Sequence, residues 1–138
     1  MKTTITYQGG MRFLAESGSG HEVLMDSSPD FGGENKGPRP MEMLLMGLGG
    51  CTAIDVVLIL QKGRQDVSDC RVEVTAERSE SVPKVFTRIH VHFIVSGRDL
   101  SEKRVARAVE LSATKYCSAS LMLGKTAEIT HDYQIVVK

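Results

Sequence analysis

The sequence has no tryptophan, and aromatic residues make up only 5% of its 138 positions. That removes the flat stacking surfaces on which single-stranded nucleic acids are held. It also lacks an excess of charge of either sign, since lysine plus arginine and aspartate plus glutamate each number 17. Neither a phosphate-tracking basic face nor an acidic tail is therefore expected, and no nucleic-acid partner. The first residues, MKTTITYQGG, contain no apolar signal core, which points to a cytoplasmic protein. The three cysteines include no CxxC pair, so no zinc knuckle, metal centre or thioredoxin-like motif is expected. Three widely spaced thiols are also too few for a secreted disulfide framework. No internal repeat or low-complexity tract is visible, and the length suits a single domain, 1–138, with one core.

What the chain does have is one long and almost uncharged run, from Pro40 to Gln61. At 100° per residue its apolar side chains do not form a stripe. Met43, Leu45, Leu48, Val57, Leu58 and Leu60 point in every direction, the pattern of a helix covered on all sides. The run is long enough to cross a membrane. Thr52, three glycines and above all Asp55 argue against that, because an acid at the centre of a spanning helix is costly. The expectation is a buried central helix that presents Cys51. Gly47, Gly49 and Gly50 each weaken such a helix by roughly 1 kcal/mol relative to alanine. Two reasons can justify that cost: close packing against a neighbouring element, or room for a substrate beside the thiol. Met46, Gly47, Gly50 and Asp55 are the expected lining of such a space. The seven methionines serve as adaptable core filler or as a pliable apolar lining.

Before this helix, residues 3–8, 11–16 and 21–26 alternate and are split by glycine- and serine-rich turns, which predicts a three-stranded meander. Residues 27–40 are a turn-rich loop placed to act as a rim or lid. After Gly63, two alternating stretches, 70–77 and 85–95, predict two strands. Cys70 shares parity with Val72 and Val74 on the covered face, whereas His90 and His92 share a solvated face with Arg88. A second helix begins near an Asp99–Glu102 capping pair. Its inner face holds Val105, Ala106, Val109, Ser112, Ala113 and Tyr116, and it reaches Cys117. A short helical turn and a last strand over 127–137 complete the chain. The fold class is α+β, about six strands in the order β-β-β-α-β-β-α-α-β. Six short strands and one further helix do not suffice to cover a helix apolar on every face, so a homodimer with central helices buried between subunits is expected.

The chemistry rests on the cysteines. Cys70 reads as a small buried hydrophobe. Cys51 and Cys117 each sit on a helix at a small or polar stretch, an arrangement suited to bringing two thiols together on a rigid frame. A nucleophilic thiol must ionise with help from a cation or a helix N-terminus. Cys51 stands closer to the start of its helix, and Cys117 near the end of the other, so Cys51 is the expected attacking thiol and Cys117 the resolving one. Arg12 and Arg39 are the expected cations, from far along the chain or from another subunit. Asp55 lies one turn beyond Cys51.

The segment PMEMLLMGLGGCTAIDVVLILQKGR, with KYCSASLMLGK half a chain later, resembles the OsmC/Ohr family, and within it the YhfA-like branch. With the order of elements, the resemblance covers nearly the whole chain. It implies an OsmC-like α+β fold, an intertwined homodimer and a thiol peroxidase that reduces organic hydroperoxides without a cofactor. In that reading Cys51 attacks the peroxide oxygen and the resulting sulfenic acid condenses with Cys117. A dithiol of the lipoyl type restores the pair. The resemblance also implies auxiliary roles for Arg12 and Glu42, each standing one place later here than the family's arginine and glutamate. Nine residues along a helix place Glu42 about 180° from Cys51. Two other functions stay open: a non-catalytic protein that binds an apolar ligand, and a redox sensor.

Overall fold

The computed structural model describes residues 1–137, and these divide into two compact units, with the division after Leu45. In the first, Met1–Leu45, three antiparallel strands follow the chain order: β1 (Thr3–Tyr7), β2 (Phe13–Ser17) and β3 (Glu22–Met25). Ile5 faces Ala15, which faces Val23, so the meander is in continuous register. This unit buries no apolar side chain; Ile5, Tyr7, Met11, Phe13 and Val23 are all exposed in the single chain.

Its one buried side chain is an acid. Asp26, 2% exposed, accepts backbone N–H groups from Ser27 at 2.8 Å, Glu34 at 3.0 Å and Lys36 at 3.1 Å. The carboxylate thus gathers the loop that follows β3 around itself. The loop also passes so close to the strand that a Cβ at Gly33 would collide with the Ser27 carbonyl and one at Gly37 with that of Leu24. Loop and strand end are therefore one folded piece.

Helix α1 (Pro40–Lys62) begins in the first unit and continues into the second. Proline opens it, where the missing N–H is of no consequence. Glu42, in the first turn, reaches back to accept the Arg39 N–H at 2.8 Å, half of a capping box. The helix ends at Lys62, and Arg64 just beyond it takes a left-handed conformation with φ of 59°. Within the chain, α1 buries one stripe, Leu48, Thr52, Val56 and Leu60, at a spacing of four. Leu44, Met46, Ile54 and Leu58 on its other faces are exposed. By length and composition α1 could cross a membrane.

The second unit, from Met46 on, contains every buried apolar residue. Its sheet runs β4 (Asp66–Arg78), β5 (Phe86–Arg98), β6 (Glu128–Val137), with β4 antiparallel and β6 parallel to β5. Ile89, Val91, Phe93 and Val95 of the central strand point into the core and are at most 3% exposed. The parallel pairing requires a crossover, and the crossover carries α2 (Glu102–Leu111), a widened turn with π-helical bonding over Ser112–Tyr116, and α3 (Ser118–Leu123). Val105, Ala108 and Val109 of α2 join the core.

Two local expectations are corrected here. The cap of α2 is Ser101, whose Oγ accepts the Arg104 N–H at 3.3 Å; Asp99 has φ of 50° and cannot adopt the extended backbone a cap requires. Tyr116, expected on the inner face, is 50% exposed, because the widened turn breaks the helical spacing that the expectation assumed.

Candidate active site

Cys51, Asp55 and Cys117 converge in the second unit. The two sulfurs and a carboxylate oxygen all lie within 4.8 Å of one another. Cys51 and Asp55 are one turn apart on α1, and helical geometry stacks them on one face. Cys117 comes from the crossover, between the widened turn and α3.

A buried hydrogen-bond chain fixes the acid. Thr52 Oγ1 and Ser112 Oγ are 2.6 Å apart, and the Ser112 hydroxyl donates to Asp55 Oδ2 at 3.1 Å. With Ser112 donating to the carboxylate, Thr52 donates to Ser112. Thr52 is 2% and Ser112 0% exposed, so this bridge is shielded from water. It joins α1 to the end of α2 through the two side chains that flank the thiol pair.

Cys117 is placed by its backbone. Its N–H bonds the Ser112 carbonyl at 2.9 Å, closing the widened turn. It then caps α3, and its sulfur accepts the Ser120 N–H at 3.4 Å. The expectation that Cys117 stands near the end of a helix, without a helix N-terminus to help it, is corrected. Instead it opens a short helix and receives an amide proton. Burial is nevertheless the larger influence: it pushes the Cys117 thiol above its ordinary range, Ser120 pulls it back, and the neighbouring Cys51 raises it. Cys51 lies mid-helix, without a helix terminus to assist it. What separates the two thiols is access, because Cys51 is half-buried and Cys117 fully buried. Cys70, half-buried on β4, is raised by burial and then by Asp69.

The glycines around Cys51 divide by purpose. A Cβ on Gly49 would meet Val74 Cγ2 of β4 at 3.3 Å, so that glycine permits close packing. A Cβ on Gly47 or Gly50 would meet nothing within 4 Å. Met46 is 58% exposed, and with Gly47 and Gly50 it leaves open surface on α1 in the turn before the thiol.

The auxiliary residues belong to the first unit. Arg12 Nη1 is 3.5 Å from Glu34 Oε1. Arg39 Nη1 donates to Asn35 Oδ1 at 2.7 Å and to the Gly37 carbonyl at 3.1 Å. The Glu42 carboxylate takes the Arg39 N–H as described.

A second polar cluster, on the sheet's outer face, was only partly anticipated. His90 Nε2 and His92 Nδ1 stand 3.0 and 2.6 Å from the same Asp132 oxygen. Thr130 and Gln134 take the outer nitrogens, at 2.6 and 3.1 Å. The histidines' shared parity was visible in the sequence; their partners on parallel β6 were not. Asp26 and the Thr52–Ser112 bridge were also missed. Their only local signals were an acid closing a strand and hydroxyls on otherwise apolar helix faces.

Comparison with known proteins gives a consistent picture. A family model described as OsmC-like protein matches residues 33–132. Protein YhfA of Escherichia coli strain K12 is 57% identical over 136 residues, 99% of this chain and 98% of that one. A hypothetical protein from Aquifex aeolicus VF5 superposes with a TM-score of 0.87 at 29% identity, covering 99% of this chain and 96% of the other. The organic hydroperoxide resistance protein OhrB of Bacillus subtilis shares the fold, with a TM-score of 0.65 over 97% of this chain and 98% of its own, at 16% identity.

Proposed function

This chain belongs to the OsmC-like protein family, and on that footing we propose that it is a thiol-dependent reductase of organic hydroperoxides, soluble, cytoplasmic and homodimeric. Membership supports a redox or oxidative-stress role. The observation that carries the finer reading is the meeting of Cys51 and Cys117 within 4.8 Å beside Asp55.

Cys51, the accessible thiol, attacks as thiolate. Its sulfur bonds to one peroxide oxygen, the O–O bond breaks, and the other oxygen takes a proton and leaves as an alcohol. The sulfenic acid on Cys51 then meets the Cys117 thiol, the S–S bond forms and water departs. Two electrons per hydroperoxide have then left the protein. A dithiol returns them by thiol–disulfide exchange and is itself oxidised. The open α1 surface at Met46, Gly47 and Gly50 suits an apolar peroxide. Burial pushes the Cys117 thiol above its ordinary range, which favours its protonated form and leaves attack to Cys51.

Coverage supports the homodimer. The first unit buries no apolar side chain, and α1 carries exposed Leu44, Met46, Ile54 and Leu58 outside its buried stripe. Each such side chain brought out of water contributes roughly 1.5–3 kcal/mol. A second copy that lays its own α1 and meander against these faces supplies the cover. Sedimentation across a wide concentration range tests this, and a monomer throughout refutes it.

Cumene hydroperoxide consumption, coupled to a lipoyl dithiol, tests the activity. Wild-type protein turns over and forms a Cys51–Cys117 disulfide, and Cys51→Ser abolishes both. Equal rates for the two proteins end the peroxidase reading.

A second reading, a binding protein for an apolar ligand, draws on the local engagement of Arg12 with Glu34 and of Glu42 with Arg39. Native mass spectrometry of protein taken from cells separates the two, since only a binding protein carries a stoichiometric small molecule.

A further inference from the structure

We propose that the reduced site is also a zinc-binding centre, with Cys51, Asp55 and Cys117 as its ligands. The sequence argues against a metal, because its cysteines lack the close spacing of zinc motifs. The fold supplies by tertiary contact what spacing does not: two sulfurs and a carboxylate oxygen, mutually within 4.8 Å.

Zinc binds sulfur at about 2.3 Å and carboxylate oxygen at about 2.0–2.2 Å. Around a tetrahedral ion these bond lengths put the donors about 3.3–3.8 Å apart, a spacing that lies inside the 4.8 Å within which the three atoms meet. Two thiolates and one carboxylate form a soft-leaning set that selects zinc over magnesium or calcium, which prefer oxygen alone. Three protein ligands leave a fourth position for water, the pattern of an open rather than a sealed site.

Beyond the ligands, the structure has what a metal site needs. The carboxylate is held from behind by the Ser112 hydroxyl at 3.1 Å, and that serine by Thr52 at 2.6 Å, so Asp55 is aimed before any ion arrives. The Ser120 N–H on the Cys117 sulfur favours its ionised form. Half-exposed Cys51 gives the ion a way in. Zinc and the disulfide each require both sulfurs, so the two states exclude one another. This inference does not depend on peroxide chemistry, and it stands even if the thiols never turn over.

The test is titration of fully reduced protein with zinc chloride against a chromophoric chelator, with cobalt(II) as a spectroscopic probe of sulfur ligation. One ion per chain is expected, with a thiolate-to-cobalt charge-transfer band. Cys51→Ser and Cys117→Ser should each weaken binding by about 100-fold, and Asp55→Asn by about 10-fold. Cys70→Ser should change nothing. Wild-type protein alkylated with iodoacetamide, or oxidised to the disulfide, guards against a variant that misfolds; both forms should release the ion. Absence of the charge-transfer band, an affinity indifferent to Cys51 and Cys117, or loss with Cys70→Ser overturns the proposal. Hydroperoxide turnover measured without metal reads the peroxidase proposal alone, so either can fail without the other.

Discussion

Thr52 and Ser112 meet at 2.6 Å in a site neither shares with water, and Ser112 passes the interaction on to Asp55. The two hydroxyls come from separate helical segments and hold α1 against the crossover where the thiols approach. Deleting either end of a buried pair leaves the other without its partner, at a cost of about 1–3 kcal/mol. Ser112→Ala should cost more than Thr52→Val, because it also strips Asp55 of its donor, while Thr52→Val leaves that donor in place. Urea denaturation of the two variants checks the order.

The space beside Cys51 makes a paired prediction. Gly50→Ala should favour the helix by about 1 kcal/mol through propensity, since within one chain its methyl group meets nothing within 4 Å. If that space admits the peroxide, hydroperoxide consumption should fall several-fold at the same time. Gly49→Ala should gain less stability or lose some, as Val74 must give way. Stability that rises while activity falls in Gly50→Ala is the expected signature, and unchanged turnover would remove Gly50 from the substrate's path.

Access separates the thiols chemically. Iodoacetamide at neutral pH should modify Cys51 first and Cys117 last, because burial both hides the latter and raises its pKa. Peptide mass mapping over a time course gives the order. Cys117 reacting ahead of Cys51 would reverse the assignment of attacking and resolving roles.

The buried acid of the first unit predicts an acid limit. Asp26 is held below its ordinary pKa of 3.8, chiefly by the Glu34 N–H, with burial opposing and the Lys36 and Ser27 amides assisting. A depressed folded-state pKa stabilises the fold above the unfolded value, and that contribution disappears as pH falls through the folded value. The loop over 27–39 should therefore lose protection in hydrogen exchange below the ordinary carboxylate range. In Asp26→Asn this pH dependence should be absent and the protection already lower at neutral pH.

The outer-face cluster works in both directions. His92 is raised above 6.5, first by its hydrogen bond to Asp132 and then by Gln134, so its contribution is complete below the unfolded pKa and lost as pH rises through the folded one. Asp132 is lowered below 3.8, first by His92, so its contribution is lost as pH falls through its own folded value. The pair stabilises the sheet most in the mildly acidic window between these limits. Denaturation midpoints measured from strongly acid to mildly alkaline pH should show a shallow maximum there, and His92→Gln should flatten it.

Much of the architecture was legible because it is written in local patterns. Pro40 and Gly63 bracket α1, alternation marks the strands, and Val105 and Val109 mark the inner face of α2. The site was legible as residue types but not as a mechanism of assembly. Nothing near Thr52 announces Ser112, and nothing near His92 announces Asp132, because both pairings arise only when distant segments pack. The placement of Cys117 at a helix end fails for a local reason: α2 gives way to a wider turn before the thiol, and a new helix starts at the thiol itself.

That wider turn acts as a spacer gauge. It feeds one extra residue into the coil before Cys117, so the sulfur's bearing is metered by residue count as much as by side-chain choice. Inserting one more residue after Ala113, into a turn already widened by one, would swing the sulfur about 100° around the axis, away from Cys51. Insertions and deletions in this short stretch are therefore a sharper way to uncouple the two sulfurs than any substitution, because they leave every atom of both thiols intact.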